Sequence, residues 1–171
     1  MQEIVNPEHL PANSKLFSLE EAVGIRNRPE YHTQKIVLTN GCFDLLHPGH
    51  LFFLRNAAKL GDQLWIALNG DVSVQKIKGP KRPILPEAFR AYSLAALDCV
   101  SGLFIFQSSR LDAEIQAFKP DVYAKAGDYS IKTLDGREKH ALQLVGSRIE
   151  FLPFLAGFST TDLIARICEA T

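Results

Sequence analysis

The sequence predicts a single α/β domain in which a five-stranded parallel sheet is covered by helices on both faces. Three observations support this fold class. The chain has 171 residues, a usual length for one domain. Short apolar runs alternate with segments of helical periodicity, and no internal repeat or low-complexity tract interrupts them. Strands that alternate with helices are typical of right-handed β-α-β crossovers and a parallel sheet.

The first elements set the pattern. Residues 1–34 are predicted to be an N-terminal extension with a short helix, and residues 35–171 the main domain. The run KIVLTN at 35–40 is apolar, β-branched and followed by Gly41, which indicates a buried strand and a turn. Residues 51–61 carry an apolar stripe at helical spacing and end at a glycine, which favours a helix with a C-cap.

The remaining elements continue the alternation. A loop rich in lysine and proline is predicted at 76–86, and a helix from Pro86 to Leu97, because proline is tolerated at a helix start. Further strands are predicted at 63–69, 102–106, 121–127 and 148–153, and further helices at 111–119, 133–146 and 160–170. Ligands of such sheets bind beyond the carboxyl ends of the strands, where the strand order switches. The first strand delivers residues 40–50 to that edge.

The composition excludes several classes of protein. Lys+Arg and Asp+Glu both total 19, so no global charge favours nucleic acid or an anionic membrane, and the expected partners are small molecules. The longest apolar stretch, 151–158, contains a proline and a glycine and is too short to span a membrane. The N-terminus lacks the pattern of a secretory signal, which favours a cytoplasmic location. The three cysteines are widely separated, so neither a disulfide scaffold nor a zinc ribbon is expected.

The motif that carries chemistry follows the first strand. The sequence has no Walker loop, no G-x-G-x-x-G, no H-E-x-x-H and no G-x-S-x-G. Instead, His47-Pro48-Gly49-His50 places two imidazoles on one face at the start of a helix. The helix N-terminus adds free N–H groups, and Gly49 leaves the backbone open. Two surface histidines that cap a helix are the alternative, but the setting favours a phosphate site.

The segment G-x-F-D-x-x-H-x-G-H at 41–50 resembles the signature of the cytidylyltransferase-like nucleotidyltransferases, a Rossmann-like superfamily. Its members join a nucleoside triphosphate to a phosphorylated acceptor and release pyrophosphate. The segments 60–97, 122–130 and 152–167 are most similar to adenylyltransferases that make ADP-heptose, a lipopolysaccharide precursor, from heptose 1-phosphate. The resemblance implies ATP as co-substrate, Mg²⁺ held mainly by the triphosphate, and a homo-oligomer such as a dimer.

The resemblance also implies roles for individual residues. The residues implied to be catalytic are His47, His50, Lys78 and Arg90. Those implied to bind the nucleotide are Cys42, Phe43, Gly49, Arg82, Asp128, Ser159, Thr160 and Thr161. Those expected to bind substrate are Asp44, Asn69, Asp71 and Lys76, with Asp44 also a candidate partner of a metal-bound water. Cys42 is expected to use its backbone, because direct in-line transfer needs no covalent enzyme intermediate.

Several of these residues have a purely structural alternative. Asp44 could cap the coming turn. The basic run at 76–83 could be a solvated loop rather than an arm that closes over phosphates. Ser159 to Thr161 could serve only as a helix N-cap, and Asp128 only as a turn residue.

Two other functions also remain open from the sequence. One is a cytidylyltransferase for glycerol 3-phosphate or an ethanolamine-type phosphate. The other is a nucleotide-binding regulatory module without catalysis.

Overall fold

The computed structural model describes residues 13–127 and 132–170. The strands are β1 (Leu16–Phe17), β2 (Ile36–Gly41), β3 (Gln63–Asn69), β4 (Gly102–Phe106), β5 (Val122–Ala126) and β6 (Arg148–Leu152). The helices are α1 (Leu19–Arg26), α2 (Pro48–Ala58), α3 (Asp71–Lys78), α4 (Glu87–Ala95), α5 (Asp112–Phe118), α6 (Gly136–Leu144) and α7 (Thr160–Glu169), with a 3₁₀ turn at Pro29–Tyr31.

The sheet is parallel throughout, in the order β1-β4-β3-β2-β5-β6. The chain lays down β2, β3 and β4 in one direction and then crosses back to place β5 beside β2. The strand order therefore switches between β2 and β5, and the carboxyl ends of these two strands define the edge where a ligand is expected. The predicted α/β class with a parallel sheet is confirmed.

The predicted number of strands is wrong, because the sheet has six strands and not five. The additional strand is β1, which lies in the segment predicted as an extension and pairs Leu16 with Leu103 and Phe17 with Phe104. A strand of two residues has no visible periodicity, so the sequence pattern could not reveal it. The short helix expected in this segment is α1, which begins with a capping box between Ser18 and Glu21.

One apolar cluster covers each face of the sheet. Ile36 and Leu38 of β2 point to the face covered by α1, α5 and α6, whereas Val37 points to the face covered by α2 and α4. This alternation follows from the strand period of two. The same alternation determines on which face of the sheet the polar side chains at the strand ends lie. Among the helices of the described ranges, none combines the length and the apolar character needed to cross a membrane.

One predicted loop is partly helical. The loop expected at 76–86 begins only at Gly79, because α3 continues through Lys78. Gly79 has a φ of 94° and ends the helix in a conformation that favours glycine. The predicted helix at Pro86 is α4, with Pro86 as its N-cap residue.

Candidate active site

A cavity of ≈ 750 Å³ opens at the carboxyl edge of the sheet where the strand order switches. The predicted residues that line it are Cys42, Phe43, Asp44, His47, Gly49, His50, Asn69, Lys78, Arg82, Ser159, Thr160 and Thr161. Asp71, Lys76 and Arg90 do not line the cavity, and Asp128 lies outside the described residues. A shallower depression of ≈ 420 Å³ beside α1 contains none of the predicted site residues.

The two histidines stand together at the start of α2. Their rings stack with centroids 3.7 Å apart and planes inclined by 21°. His47 is the N-cap residue of α2, and Pro48 occupies the first helical position, where its missing N–H has no cost. The Nδ1 atom of His47 accepts a long hydrogen bond of 3.4 Å from the backbone N–H of His50. This bond places the ring proton of neutral His47 on Nε2.

Both imidazoles are neutral near pH 7 in this structure. Burial lowers the pKa of His47. For His50, burial chiefly and the neighbouring His47 secondly lower the pKa to about 4, against an opposing effect of the Leu45 backbone. Lys78 also lowers the His50 pKa, which places its ammonium within electrostatic reach of the pair. The pair therefore offers a ligand neutral N–H donors rather than a double positive charge.

Two neighbouring residues fix the histidine rings. A Cβ at Gly49 would lie 3.0 Å from the His47 ring and 3.2 Å from the Cβ of Phe158, so any other residue would require these groups to shift by a few tenths of an ångström. Phe43 has a φ of 44°, a backbone conformation rare outside glycine. Its buried ring meets His50 edge to face, with centroids 5.2 Å apart. Phe43 thus contacts His50 while it also belongs to the apolar cluster on the α2 face of the sheet.

Asp44 joins the basic segment to the end of β2. Its carboxylate forms an ion pair of 2.6 Å with Arg82 and accepts the backbone N–H groups of Ile84 at 2.7 Å and Leu85 at 3.1 Å. The structural alternative for Asp44, a cap for the coming turn, is not observed, because the N-cap of α2 is His47. Asp44 instead holds the loop after α3 against the cavity, with Arg82 at its wall.

Arg90 occupies a different place from the one that the resemblance implies. Its side chain is fully buried and donates to the backbone oxygens of Cys42 at 2.6 Å, Asn69 at 2.8 Å and Leu85 at 2.9 Å. It also pairs with Asp71 at 2.7 Å. With four acceptors already in contact, this guanidinium fastens the ends of β2 and β3 together. The geometry makes Arg90 and Asp71 positioning residues beneath the site.

The other predicted residues divide between the cavity and its surroundings. Lys78 ends α3 and lines the cavity, whereas Lys76 lies outside it. The Asn69 amide is buried and donates to the hydroxyl of Ser73 at 2.9 Å. This hydrogen bond stabilises the structure around the cavity. Ser159 is the N-cap of α7 and accepts the N–H of Asp162 at 3.0 Å. The start of α7 therefore faces the same cavity as the start of α2.

Cys42 has the environment of an unreactive thiol. Burial raises its pKa, with Lys78 and Arg90 acting in the opposite direction. A protonated thiol is a poor nucleophile. The contact that Cys42 makes with Arg90 uses its backbone carbonyl.

Sequence reasoning missed a group of polar residues on the other side of β2. They are Asn40, Ser109, Arg110, Lys125, Thr133, Asp135 and Glu138, all of which line the cavity. Lys125 and Glu138 are buried despite their charge. The signal that could have revealed Lys125 is a lysine inside an otherwise apolar strand, since buried lysines are rare.

Comparison with known proteins gives consistent results. A cytidylyltransferase-like family model matches residues 38–166. Bifunctional protein HldE of Geobacter metallireducens is 40% identical over 163 residues, which cover 95% of this chain and 33% of that protein. Bifunctional protein HldE of Helicobacter pylori is 41% identical over 168 residues, 90% of this chain and 35% of that protein. The chain thus spans about a third of the length of these curated relatives.

Two solved structures share the fold. A lipopolysaccharide core biosynthesis protein from Thermoplasma volcanium superposes with a TM-score of 0.58 at 25% identity, covering 71% of this chain and 97% of that chain. Pantoate-beta-alanine ligase from Francisella tularensis, complexed with beta-gamma ATP and beta-alanine, gives a TM-score of 0.55 at 16% identity, covering 91% of this chain and 78% of that chain. The second likeness concerns the fold alone.

Proposed function

The chain belongs to the cytidylyltransferase-like family, and from this premise we propose that it is a nucleotidyltransferase that transfers AMP from ATP to a sugar 1-phosphate. The proposed acceptor is heptose 1-phosphate, and the products are an ADP-sugar and pyrophosphate. Identity near 40% to HldE proteins over almost the whole chain supports the choice of ATP and a heptose. The observation that carries the proposal is the stacked histidine pair at the start of α2, inside the cavity at the switch point.

The reaction forms one P–O bond and breaks another. A phosphate oxygen of the acceptor attacks the α-phosphorus of ATP in line, and a new P–O bond forms. The bond between the α-phosphorus and the bridging oxygen to the β-phosphorus breaks, and its electron pair leaves with pyrophosphate. The nucleophile is already an anion, so no strong general base is needed. The barrier is mainly electrostatic, and preorganised donors lower it.

The residues of the cavity provide such donors. The Nε2–H group of His47 and the ring of His50 stand beside the free N–H groups of the α2 N-terminus. Lys78 adds positive charge at the same wall, and Arg82, which is paired with Asp44, adds its remaining N–H donors. Proposed contacts to the triphosphate come from these four side chains and from the α7 start at Ser159 to Thr161. Hydrogen bonds to charged phosphate oxygens are stronger than neutral ones, so each contact contributes more as charge develops.

A magnesium ion is proposed to arrive with the triphosphate. In the described part of the chain, no group of three His, Cys, Asp or Glu side chains could hold a metal ion. A donor set of N–H groups and cations suits an anion that carries its own metal, and magnesium commonly binds in this way. When bound, the ion neutralises charge on the phosphate oxygens. We also propose a cytoplasmic homo-oligomer, such as a dimer, on the strength of the family resemblance.

The decisive experiment measures pyrophosphate release across four nucleoside triphosphates and a panel of phosphorylated acceptors. The expected maximum is ATP with heptose 1-phosphate. A maximum with CTP and glycerol 3-phosphate or an ethanolamine-type phosphate would assign the chain to a cytidylyltransferase reaction. Nucleotide binding without release for any acceptor would indicate a regulatory module.

The histidines are tested in the same assay. His47→Ala and His50→Ala should each lower kcat about a hundredfold or more, with a smaller change in the KM for ATP, because their contacts strengthen in the transition state. His140→Ala is the matched control, since this histidine is exposed on α6 and does not line the cavity. Near-normal turnover in both site variants would contradict the proposed mechanism.

A further inference from the structure

The cavity has two ends with different chemistry. The end at α2 and α7 presents N–H donors and cations, as a triphosphate requires. The end between β2, β5 and α6 presents both signs of charge together with amide and hydroxyl groups. The polar residues of this second end, called the mixed end below, are Asn40, Ser109, Arg110, Lys125, Thr133, Asp135 and Glu138.

The orientation of the Asn40 amide follows from its neighbours. Asn40 lies on β2 on the same face as Ile36 and Leu38, opposite the face on which α2 packs. Its Oδ1 accepts the hydroxyl of Tyr123 at 2.8 Å and the ammonium of Lys125 at 2.6 Å. Two donors at one atom identify that atom as the oxygen. The Nδ2 group is therefore the part of the amide left for the cavity, and no described residue accepts its hydrogens.

The carboxylate of Glu138 on α6 lies near the Tyr123 hydroxyl that also binds Asn40. Glu138 is 7% exposed and lines the cavity. Its Oε1 accepts the backbone N–H of Leu111 at 3.3 Å, and its Oε2 lies 3.3 Å from the Tyr123 hydroxyl. Both contacts are long, and the single proton of that hydroxyl has a closer acceptor in Asn40. Asp135, the N-cap of α6, lies beside Glu138 and forms an ion pair with Arg110.

This arrangement fits hydroxyl groups better than phosphates. The buried carboxylate of Glu138 repels phosphate oxygens, whereas a hydroxyl both donates and accepts and can satisfy a carboxylate and an amide N–H together. A polyhydroxylated ring presents several such groups at once. The mixed end is continuous with the histidine end through Gly41 and Cys42, so a phosphate on that ring could reach the donors of α2.

We propose that Asn40 and Glu138 are the specificity-determining residues of a subsite for the hydroxylated ring of the phosphorylated acceptor. The Asn40 Nδ2 group donates to a ring hydroxyl, and the Glu138 carboxylate accepts from one. Lys125 and Tyr123 are positioning residues, because they fix the amide of Asn40. The inference rests on the proposed nucleotidyl transfer and adds how the acceptor is chosen. The ribose of the nucleotide carries the same chemistry, so the experiment must separate the two sources.

The test uses two isosteric variants with matched controls. Asn40→Asp keeps an oxygen for Lys125 and Tyr123 but replaces the donor that faces the cavity by an acceptor. Glu138→Gln removes the negative charge with little change in shape. The controls are Asn56→Asp on α2 and Glu150→Gln on β6, neither of which lines the cavity. Thermal unfolding of each variant verifies that the fold is retained.

Binding is measured by titration calorimetry, so that the result does not depend on turnover. The probes are heptose 1-phosphate, glycerol 3-phosphate and α,β-methylene-ATP with Mg²⁺. Each site variant should raise the Kd for heptose 1-phosphate at least about tenfold, since a site built for hydroxyl groups discriminates strongly once a partner is lost. The Kd for α,β-methylene-ATP should stay within about twofold, and both controls should match the wild type. Glycerol 3-phosphate has no ring and should be affected less than heptose 1-phosphate.

The opposing outcomes are distinct. A tenfold weaker binding of α,β-methylene-ATP with unchanged binding of heptose 1-phosphate would assign the mixed end to the ribose and overturn the inference. Unchanged binding of both probes in both variants would overturn it as well. If the wild type binds heptose 1-phosphate through these residues but releases no pyrophosphate with any triphosphate, the proposed function fails while the sugar subsite stands. If the wild type turns over best with a phosphate that has no ring, the nucleotidyl transfer stands and the subsite fails.

Discussion

Replacing Arg90 by methionine tests whether this residue holds the site together or acts on phosphates. Arg90→Met keeps an unbranched apolar stem and removes the donors to Cys42, Asn69, Leu85 and Asp71. An acceptor left unsatisfied inside a protein costs about 1–3 kcal/mol, and breaking a buried ion pair costs about 3–5 kcal/mol. Asp71 is one-third exposed and can regain water. Because three backbone oxygens lose their donor, the free energy of unfolding should fall by at least about 3 kcal/mol.

The assay is urea unfolding followed by circular dichroism, with pyrophosphate release measured on the folded variant. For a domain of this size, such a loss lowers Tm by about 10 °C. Arg148→Met is the control, because the Arg148 side chain is 58% exposed in a surface pair with Glu150 and should change stability by less than about 0.5 kcal/mol. An Arg90→Met protein with the stability of the wild type but almost no turnover would refute the positioning role and support a direct phosphate contact.

The further predictions concern three residues of the cavity, His50, Cys42 and Lys78. The His50 ring proton signals should stay constant between pH 5.5 and 8 in an NMR titration, because burial and His47 lower its pKa to about 4; a midpoint near 6.5, the ordinary value, would show a solvated ring. The unfolded chain binds a proton at His50 at a higher pH than the folded chain does. The free energy of unfolding should therefore also decrease as pH falls from about 6.5 towards 4. Urea unfolding midpoints at several pH values measure this decrease. Cys42→Ser should retain pyrophosphate release and iodoacetamide should react slowly with the wild type, since burial raises the thiol pKa; an inactive but folded serine variant would indicate thiol chemistry. Lys78→Ala should lower kcat/KM by roughly tenfold to a thousandfold while Lys81→Ala, a change at an exposed residue of the same basic run, has little effect; equal kinetics in both variants would mean that Lys78 is only a solvated charge.

The sequence was sufficient for the elements that carry clear periodicity. The strand predicted at 63–69 is β3 with the same bounds, and the strand at 102–106 is β4. These runs are continuous and apolar because both faces of the sheet are covered. Two elements were missed for opposite reasons. β1 is too short to show a period, and α3 is polar, with only Ser73 and Val74 buried along its length.

Burial of charge is the part of the site that a single sequence conceals. Arg90, Lys125 and Glu138 are all buried. Arginine, lysine and glutamate are exposed in most positions, so their identity alone predicts a surface location. Their burial depends on partners that are distant in sequence, such as Cys42 for Arg90 and Asn40 for Lys125. The histidine motif could be recognised from the sequence because its residues are adjacent in the chain and lie together at the start of one helix.

The basic segment at 76–83 is anchored to the rest of the fold through Asp44. A solvated loop would leave Arg82 free, yet its guanidinium is paired with Asp44, and the same carboxylate holds the N–H groups of Ile84 and Leu85. An arm that closes only on ligand would have no anchor before the ligand binds. The observed loop is already tethered at the end of β2, beside the histidine motif, so part of the ordering entropy is lost during folding rather than on binding. Asp44 thereby places Arg82 at the cavity wall, while Lys78 reaches the same wall from the end of a helix. The positive charge of this wall is set by two separate elements of the fold and not by the length of the charge run.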